Sequence, residues 1–266
     1  MTAMSARAPA PTTPEEIAVR LLVVNVNTSE AMTAEIAQAA RAAASPGTEI
    51  VPLTPDFGPA SVEGNYESHL AAVAVCQRVA RHTDPYDAVI LAGFGDHGRE
   101  ALQEVCRVPV VDITEASAMT AMLLGHSYGV VTTLDRTVPL IRDRLLTAGL
   151  TARCAGIRAA DVPVLELESD PGSSLDQIVE QARLLVEVDR AEVICLGCGG
   201  MAGLSERIAA ELSVPVVDGV AAAVTHAESL VRLGLTTSRV RTYARPLLKP
   251  VTFPSGAPAT IGGARA

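Results

Sequence analysis

The sequence has 266 residues and a formal net charge of −9, and 48% of its residues are hydrophobic but only 3% aromatic. An acidic chain with few stacking side chains is poorly suited to bind nucleic acid, and a mean hydropathy of +0.29 argues against disorder throughout. No apolar run approaches the roughly 20 residues that cross a bilayer, and the start of the chain lacks the apolar stretch of a secretory signal. Five irregularly spaced cysteines indicate no disulfide framework, so we expect a cytoplasmic protein with reduced thiols.

Short apolar runs alternate with longer segments of helical periodicity. The runs predict strands at 21–26, 49–53, 88–92, 108–111, 128–132, 193–196 and 214–217. The segments between them predict helices at 30–43, 67–81, 98–106, 115–124, 137–148, 175–188, 204–212 and 221–233, with Thr28 or Ser29 as the first N-cap. This alternation predicts an α/β doubly wound fold with parallel sheets. The ends, 1–18 and 250–266, are predicted to be disordered tails.

A repeat lies within this alternation. The strand at 88–92 is followed by a Gly-rich turn, a helix and Val108-Pro-Val-Val-Asp112, and the strand at 193–196 by a Gly-rich turn, a helix and Val214-Pro-Val-Val-Asp218. The offset is 105 residues at the turns and 106 at the later segments, which indicates a duplication. Two similar α/β halves would place both turns at the carboxyl ends of strands, facing one crevice that binds a ligand.

Cys198 is the strongest candidate for chemistry. It follows a strand within Leu196-Gly-Cys-Gly-Gly-Met201 and precedes a helix. Small neighbours let a ligand approach the backbone, and the N–H groups of such a turn lower a thiol's pKa and favour the thiolate. A buried, inert role is the alternative for any free cysteine. We interpret the other four cysteines as buried and inert; they are Cys76, Cys106, Cys154 and Cys195.

The first Gly-rich turn matches a dinucleotide-binding fingerprint. Gly93, Gly95 and Gly98 give GxGxxG, and Asp112 lies 19 positions after Gly93. The turn follows an internal strand, however, and its second copy lacks the pattern, so nicotinamide binding is the weaker hypothesis. His97 lies in the same turn, either in a site or as a solvated residue at a helix start. The histidines show no metal-ligand spacing with cysteines or carboxylates, so no metal site is predicted.

Polar residues follow three other predicted strands. Asn27 lies in the segment 25–29, Ser61 in the loop 58–64, and Thr132 and Thr133 at the end of the strand at 128–132. Capping and turn formation explain these residue types as well as ligand binding does. Their common position at the carboxyl ends of strands favours a binding site.

These motifs together resemble those of the hydantoin and allantoin racemases, a branch of the aspartate/glutamate racemase superfamily. The resemblance extends from about 21 to about 234 and is most specific at 130–139 and 196–201. It implies two pseudo-symmetric α/β lobes, here 19–113 with 219–249 and 114–218, with the active site between them. It also implies a small-molecule substrate, no cofactor and a homo-oligomer.

The resemblance further implies racemisation beside a carbonyl by two cysteines, one removing the Cα proton and the other returning a proton on the opposite face. The second-lobe cysteine matches Cys198, but the first cysteine of the family motif CFxDPG falls on Gly93, and the motif's proline falls on His97. Glycine carries no transferable side-chain proton. The two-thiol mechanism therefore cannot operate unchanged.

Three hypotheses follow from this departure. In the first, the protein is an impaired variant that binds its ligand without racemising it. In the second, Asp96, His97 or an ordered water beside Gly93 replaces the missing thiol. In the third, Cys198 alone protonates an enolate, as the resemblance to arylmalonate decarboxylases implies. The decarboxylase hypothesis is weaker, because the positions after Gly93 lack the hydroxyl groups that hold a carboxylate in those enzymes.

The sequence therefore predicts a cofactor-independent racemase of the hydantoin-racemase type with Cys198 as the surviving acid/base. The expected substrate is a small cyclic ureide or an amino-acid-like molecule with an acidic C–H beside a carbonyl. The residues predicted to bind it are Asn27, Ser61, Phe94, Thr132, Thr133, Gly199 and Gly200. Because a space is expected beside Gly93, Gly93→Cys is expected to create or raise racemase activity.

Overall fold

The structure, a computed structural model, describes residues 19–169, 171–252 and 258–261. The first sheet contains β1 (Val19–Val24), β2 (Thr48–Leu53), β3 (Ala88–Leu91) and β4 (Val110–Asp112), and the second contains β5 (Tyr128–Thr132), β6 (Cys154–Ala159), β7 (Val193–Leu196) and β8 (Val216–Val217). Both sheets are parallel, with the orders β2-β1-β3-β4 and β6-β5-β7-β8. The two orders are equivalent, which confirms the predicted α/β fold of two similar halves.

Helices alternate with the strands and cover the sheets. They are α1 (Glu30–Ala43), α2 (Asn65–Ala80), α3 (Arg99–Val105), α4 (Ile113–Leu124), α5 (Val138–Thr147), α6 (Glu166–Ser169), α7 (Pro171–Glu187), α8 (Ser205–Leu212) and α9 (Gly219–Arg232). The first begins where the sequence indicates, because the Ser29 hydroxyl accepts a hydrogen bond from the Met32 amide. Within the described stretches, no helix combines the length and the apolar character needed to cross a membrane.

Each half of the chain contributes one helix to the other half. Helix α4 follows β4 but packs against β7 and β8 of the second sheet, whereas α9 follows β8 and packs against the first sheet. Equivalent aspartates begin the two helices. Asp112 accepts a hydrogen bond from the Glu115 amide, and Asp218 accepts from the amides of Val220 and Ala221. The two helices also pack against each other. They therefore connect the two sheets.

One strand of the two parallel sheets and one short helix were not expected from the sequence. Strand β6 reads Cys-Ala-Gly-Ile-Arg-Ala, lies at the edge of its sheet and is only partly buried. An edge strand of this kind shows neither a continuous apolar run nor a clean alternation, which are the signals that identify the central strands. Helix α6 has only four residues, too few to show a helical period.

The expected disorder at the carboxyl end is wrong for part of that segment. Strands β9 (Lys249–Thr252) and β10 (Pro258–Ile261) pair antiparallel, with Val251 opposite Ala259. Proline and glycine between two short runs that contain β-branched residues are also a hairpin signal, which composition alone does not reveal. The predicted tail at 1–18 lies outside the described residues, as do 253–257 and 262–266.

Candidate active site

The turns after β3 and β7 meet at one cavity between the two sheets. Gly93 and Phe94 line it from the first turn, and Gly197 and Gly199 line it from the second. The turns pack closely, because a Cβ on Gly199 would lie 2.6 Å from the Ala92 carbonyl oxygen. The cavity has a volume of about 40 Å³, far below the roughly 300–1,000 Å³ of typical ligand pockets. The cavity is therefore narrow.

Cys198 lines this cavity and is only partly exposed. Burial raises the pKa of its thiol to about 11, the amides of Gly200 and Met201 oppose this rise, and the Glu63 carboxylate adds to it. The expectation that the turn amides favour a thiolate is therefore wrong, because desolvation outweighs them. At neutral pH Cys198 is a thiol that can donate a proton.

The remaining cysteines, all within the described residues, do not line this cavity. Cys195 is buried in β7, Cys106 is buried directly after α3, and Cys76 and Cys154 are partly buried. Burial raises the pKa of all four thiols, to about 12 at Cys76 and Cys195. These thiols therefore fit the packing role predicted from their strand and helix patterns.

The space beside Gly93 is filled by two side chains. A Cβ on Gly93 would lie 2.4 Å from Cδ2 of His97 and 2.5 Å from Cγ1 of Val26. Ordinary van der Waals contact for a Cβ begins at about 3.4 Å. The expected space or ordered water beside Gly93 is therefore wrong. The imidazole of His97 takes part of the volume that a side chain at position 93 would need.

His97 is a buried residue of the same cavity, with only 4% of its surface exposed, so the interpretation as a solvated histidine is wrong. Burial lowers the pKa of its imidazole, against the opposing influence of the Phe94 carbonyl and the Asp96 and Asp112 carboxylates. Its Nδ1 lies 3.0 Å from the hydroxyl oxygen of Ser68. At neutral pH the ring is an uncharged imidazole, which can accept a proton.

Asp96, the other candidate to replace the missing thiol, has a different environment. Its side chain is exposed and accepts a hydrogen bond from the Gly98 amide at 3.4 Å. It lines a separate outer cavity of about 370 Å³, whereas His97 lines the inner one. Of the two candidates, only His97 shares a cavity with Cys198.

The dinucleotide fingerprint has no accessible acidic residue. The Asp112 carboxylate is fully buried, and Nη2 of Arg144 donates a hydrogen bond to it at 2.7 Å. It also caps α4 through the Glu115 amide. A fingerprint carboxylate must reach a ribose hydroxyl, and this one is committed to interactions within the protein. The spacing of Gly93, Gly95 and Gly98 therefore carries no support for nicotinamide binding.

Five of the seven predicted binding residues line the inner cavity. They are Asn27, Phe94, Thr132, Thr133 and Gly199. Oδ1 of Asn27 accepts from Nδ2 of Asn25 at 2.8 Å and from the Ser29 amide at 2.9 Å. These bonds orient Asn27 so that its own Nδ2 faces the sulfur of Met32 at 3.1 Å. Because sulfur is a weak acceptor, this Nδ2 can donate to a ligand carbonyl instead.

The other two predicted binding residues, Ser61 and Gly200, do not line the inner cavity. In the loop 58–64 the neighbouring Val62 contacts it instead, and the Gly200 amide acts on the Cys198 sulfur. Sequence reasoning missed the apolar walls, which are Val26, Met32, Val62 and Val164. No sequence signal separates such residues from ordinary core, since a cavity wall and a core both need apolar side chains.

Comparison with known proteins identifies the family of this chain. The model of the Asp/Glu/Hydantoin racemase family matches residues 21–227. The chain belongs to this family. It is 39% identical over 228 residues to a hydantoin racemase from Pseudomonas sp. (strain NS671), covering 85% of this chain and 92% of that protein.

Two solved structures are similar over most of the chain. The allantoin racemase from Pseudomonas fluorescens is 66% identical with a TM-score of 0.87, covering 88% of this chain and 100% of that chain. The allantoin racemase from Klebsiella pneumoniae is 41% identical with a TM-score of 0.86, covering 90% and 98%. The protein is a racemase-type isomerase, and the predicted membership of the hydantoin and allantoin racemase branch is confirmed.

Two loops from opposite halves of the racemase meet over the inner cavity. The Val164 amide donates a hydrogen bond to Oε1 of Glu63 at 3.1 Å, and both Val62 and Val164 line the cavity. Beside them, Arg136 packs so closely on Gly64 that a Cβ there would lie 2.6 Å from Nη2. These contacts join the two halves beside the inner cavity.

Proposed function

We propose that this racemase interconverts the enantiomers of a cyclic ureide, with allantoin as the first candidate, and that His97 and Cys198 transfer the protons. The proposal is carried by one observation. A neutral imidazole and a protonated thiol line the same cavity, each from the turn of a different half. The substrate class is supported by the 66% identity to an allantoin racemase and the 39% identity to a hydantoin racemase.

The two groups supply the base and the acid that racemisation requires on opposite faces of a planar enolate. Nε2 of His97 takes the Cα proton, and the electrons of the C–H bond move into the adjacent carbonyl. The thiol of Cys198 then gives its proton to the other face of Cα, which leaves an imidazolium and a thiolate. The opposite enantiomer reacts in reverse, and proton exchange with water interconverts the two forms of the free enzyme.

Stabilisation of the enolate oxygen requires hydrogen-bond donors in the cavity. Nδ2 of Asn27 is one candidate, and the backbone amides of Phe94 and Gly199 are the others. The Gly95 amide is already engaged, because it donates to the hydroxyl of Thr114 at 2.9 Å. The Asn27→Ala variant is therefore expected to lower kcat more than it raises KM, since the enolate exists only along the reaction path.

The proposal is tested with both enantiomers of allantoin and of a 5-substituted hydantoin in D2O. Circular dichroism follows inversion, and proton NMR follows loss of the Cα–H signal, each corrected for the reaction without enzyme. Both enantiomers are expected to invert and to take up deuterium. His97→Gln and Cys198→Ser are each expected to slow inversion by about 100-fold or more. Asp96→Asn, the matched control in the same turn, is expected to stay within a few-fold of the unmodified protein.

Three outcomes would contradict the proposed pair. If Asp96→Asn abolishes inversion while His97→Gln does not, Asp96 carries the first proton. If one enantiomer exchanges its Cα proton without inversion, only one base operates. If a disubstituted malonate releases carbon dioxide and no ureide is racemised, the protein is a decarboxylase in which Cys198 alone protonates the enolate.

A further inference from the structure

Ser68 contacts the His97 ring from outside the inner cavity. It lies in the first turn of α2, is 2% exposed and lines the outer cavity together with Asp96. Its hydroxyl oxygen lies 3.0 Å from Nδ1 of His97 and also forms a short hydrogen bond to the backbone carbonyl of Asp96. His97 therefore contacts Ser68 through Nδ1 and also lines the inner cavity.

The two hydrogen bonds of Ser68 fix the direction of proton donation. A hydroxyl has one hydrogen, and a carbonyl oxygen can only accept. The hydrogen of Ser68 is therefore given to the Asp96 carbonyl, and the same oxygen accepts a hydrogen from Nδ1 of His97. A neutral imidazole carries a single N–H, so a proton on Nδ1 leaves the lone pair on Nε2.

We infer that Ser68 is a positioning residue that holds His97 in the Nδ1–H tautomer, with Nε2 as the atom that accepts the substrate proton. This inference rests on the proposed function, in which His97 is the first base. Packing holds the ring as well, because Cδ2 of His97 and the side chain of Val26 fill the volume beside Gly93. The ring can therefore not rotate freely to present its other nitrogen.

The Ser68 hydrogen bond also favours the protonated ring. When Nε2 takes a proton, the bond from Nδ1 to Ser68 becomes charge-assisted and stronger. The Phe94 carbonyl and the Asp96 and Asp112 carboxylates favour the same form, whereas burial and the Arg144 guanidinium disfavour it. Removal of the Ser68 hydroxyl is therefore expected to weaken His97 as a base without touching the substrate.

The tautomer is measured directly by long-range 1H–15N correlation of the histidine rings at pH 8, with His97→Gln to assign the signal. The unmodified protein is expected to show His97 as the Nδ1–H form, and Ser68→Ala is expected to shift the population toward Nε2–H. Ser68→Thr, which keeps the hydroxyl, is expected to retain the Nδ1–H form. An Nε2–H ring in the unmodified protein would overturn the inference even if Ser68→Ala failed to fold.

Kinetics provide the second readout. Ser68→Ala is expected to lower kcat about 10- to 100-fold at unchanged KM, the rate equivalent of one hydrogen bond to a group that becomes charged. The acid limb of its pH profile is expected to move to lower pH, and Ser68→Thr is expected to recover most of the rate. Unchanged kcat and pH profile in Ser68→Ala would overturn the inference while leaving His97 as the base. Full activity of His97→Gln would instead overturn the proposed function.

Discussion

The substitution Gly93→Cys is expected to lower racemisation, although the sequence alone predicts that it restores a second thiol. The added Cβ would lie 2.4 Å from His97 and 2.5 Å from Val26, about 1 Å inside ordinary contact on both sides. Overpacking of this kind costs roughly 1–3 kcal/mol of the free energy of unfolding. For a chain of this size each kcal/mol lowers Tm by about 2–4 °C. Relief of the overlap requires the imidazole to move, and the proposed base is then displaced.

A double-mutant cycle isolates this overlap. Gly93→Ala adds only the Cβ, and His97→Ala removes the ring that it would meet. The cost of Gly93→Ala, measured by urea unfolding, is expected to fall by about 0.5–3 kcal/mol in the His97→Ala background. Asp96→Ala is the matched control from the same turn, and its effect is expected to add to that of Gly93→Ala because its side chain is exposed.

The activity of the combined variant completes the test. Gly93→Cys with His97→Ala removes the overlap with the imidazole and leaves Val26 against the new side chain, so it is expected to racemise at least about tenfold faster than His97→Ala alone. A rise in racemisation in Gly93→Cys alone, at unchanged Tm, would contradict the overlap, because position 93 would then have free space. Simple addition of the costs of Gly93→Ala and His97→Ala would contradict it as well.

Three further predictions follow from charges near the cavity and between the halves. In the pH profile of kcat/KM, the acid limb is expected below pH 6.5, because burial lowers the pKa of the His97 imidazole, and the alkaline limb is expected near pH 11, the pKa of the Cys198 thiol. Cys198→Ser is expected to remove the alkaline limb. A limb at pH 7–8 would contradict the assignment of the two limbs to His97 and Cys198. Glu63→Ala is expected to raise KM by breaking the loop contact and to lower the pKa of Cys198 by removing a negative charge, whereas Glu63→Gln should lower the pKa but retain the contact. Thiol alkylation against pH measures the lowered pKa in both variants, and steady-state kinetics measure the KM that only Glu63→Ala is expected to raise. Arg144→Met removes the guanidinium that hydrogen-bonds to the buried Asp112 carboxylate and leaves Arg99, whose Nε lies 3.7 Å from it. The variant is expected to lower the free energy of unfolding by roughly 3 kcal/mol in urea unfolding, while the exposed Arg41→Met should change it little.

The central strands could be predicted from the sequence because continuous apolar runs identify them. Strands β5 and β7 begin and end at the predicted residues. The predicted starts of β4 and β8, however, were two residues too early. Pro109 and Pro215 have no N–H for the ladder, although their carbonyls accept from Val89 and Ile194. The strands therefore begin after each proline. Because proline is disfavoured inside a strand, these later starts could have been predicted from the sequence.

The candidate site was only partly accessible to sequence reasoning. The carboxyl ends of parallel strands identify the turns that hold Gly93 and Cys198, because those ends share one edge of a sheet. The direction of the His97 side chain could not be predicted in the same way. Gly95 and Gly98 both have positive φ, at 136° and 94°, so the chain between them reverses and the ring returns to Gly93. The spacing of residues in the sequence does not reveal this contact.

An unlike pair of acid and base also makes the two directions of the reaction depend on different forms of the enzyme. The thiol of Cys198 has a raised pKa and the imidazole of His97 a lowered one, so the free enzyme at neutral pH is almost entirely the thiol–imidazole form. That form serves the enantiomer whose proton faces His97. The other enantiomer needs the rare thiolate–imidazolium form. Because enantiomers have equal free energies, kcat/KM must be equal in both directions. The rare thiolate–imidazolium form must therefore react faster than the common form by the same factor by which it is less populated. A thiolate of high pKa is a far stronger base than an imidazole of low pKa, which is the difference in reactivity that this balance demands.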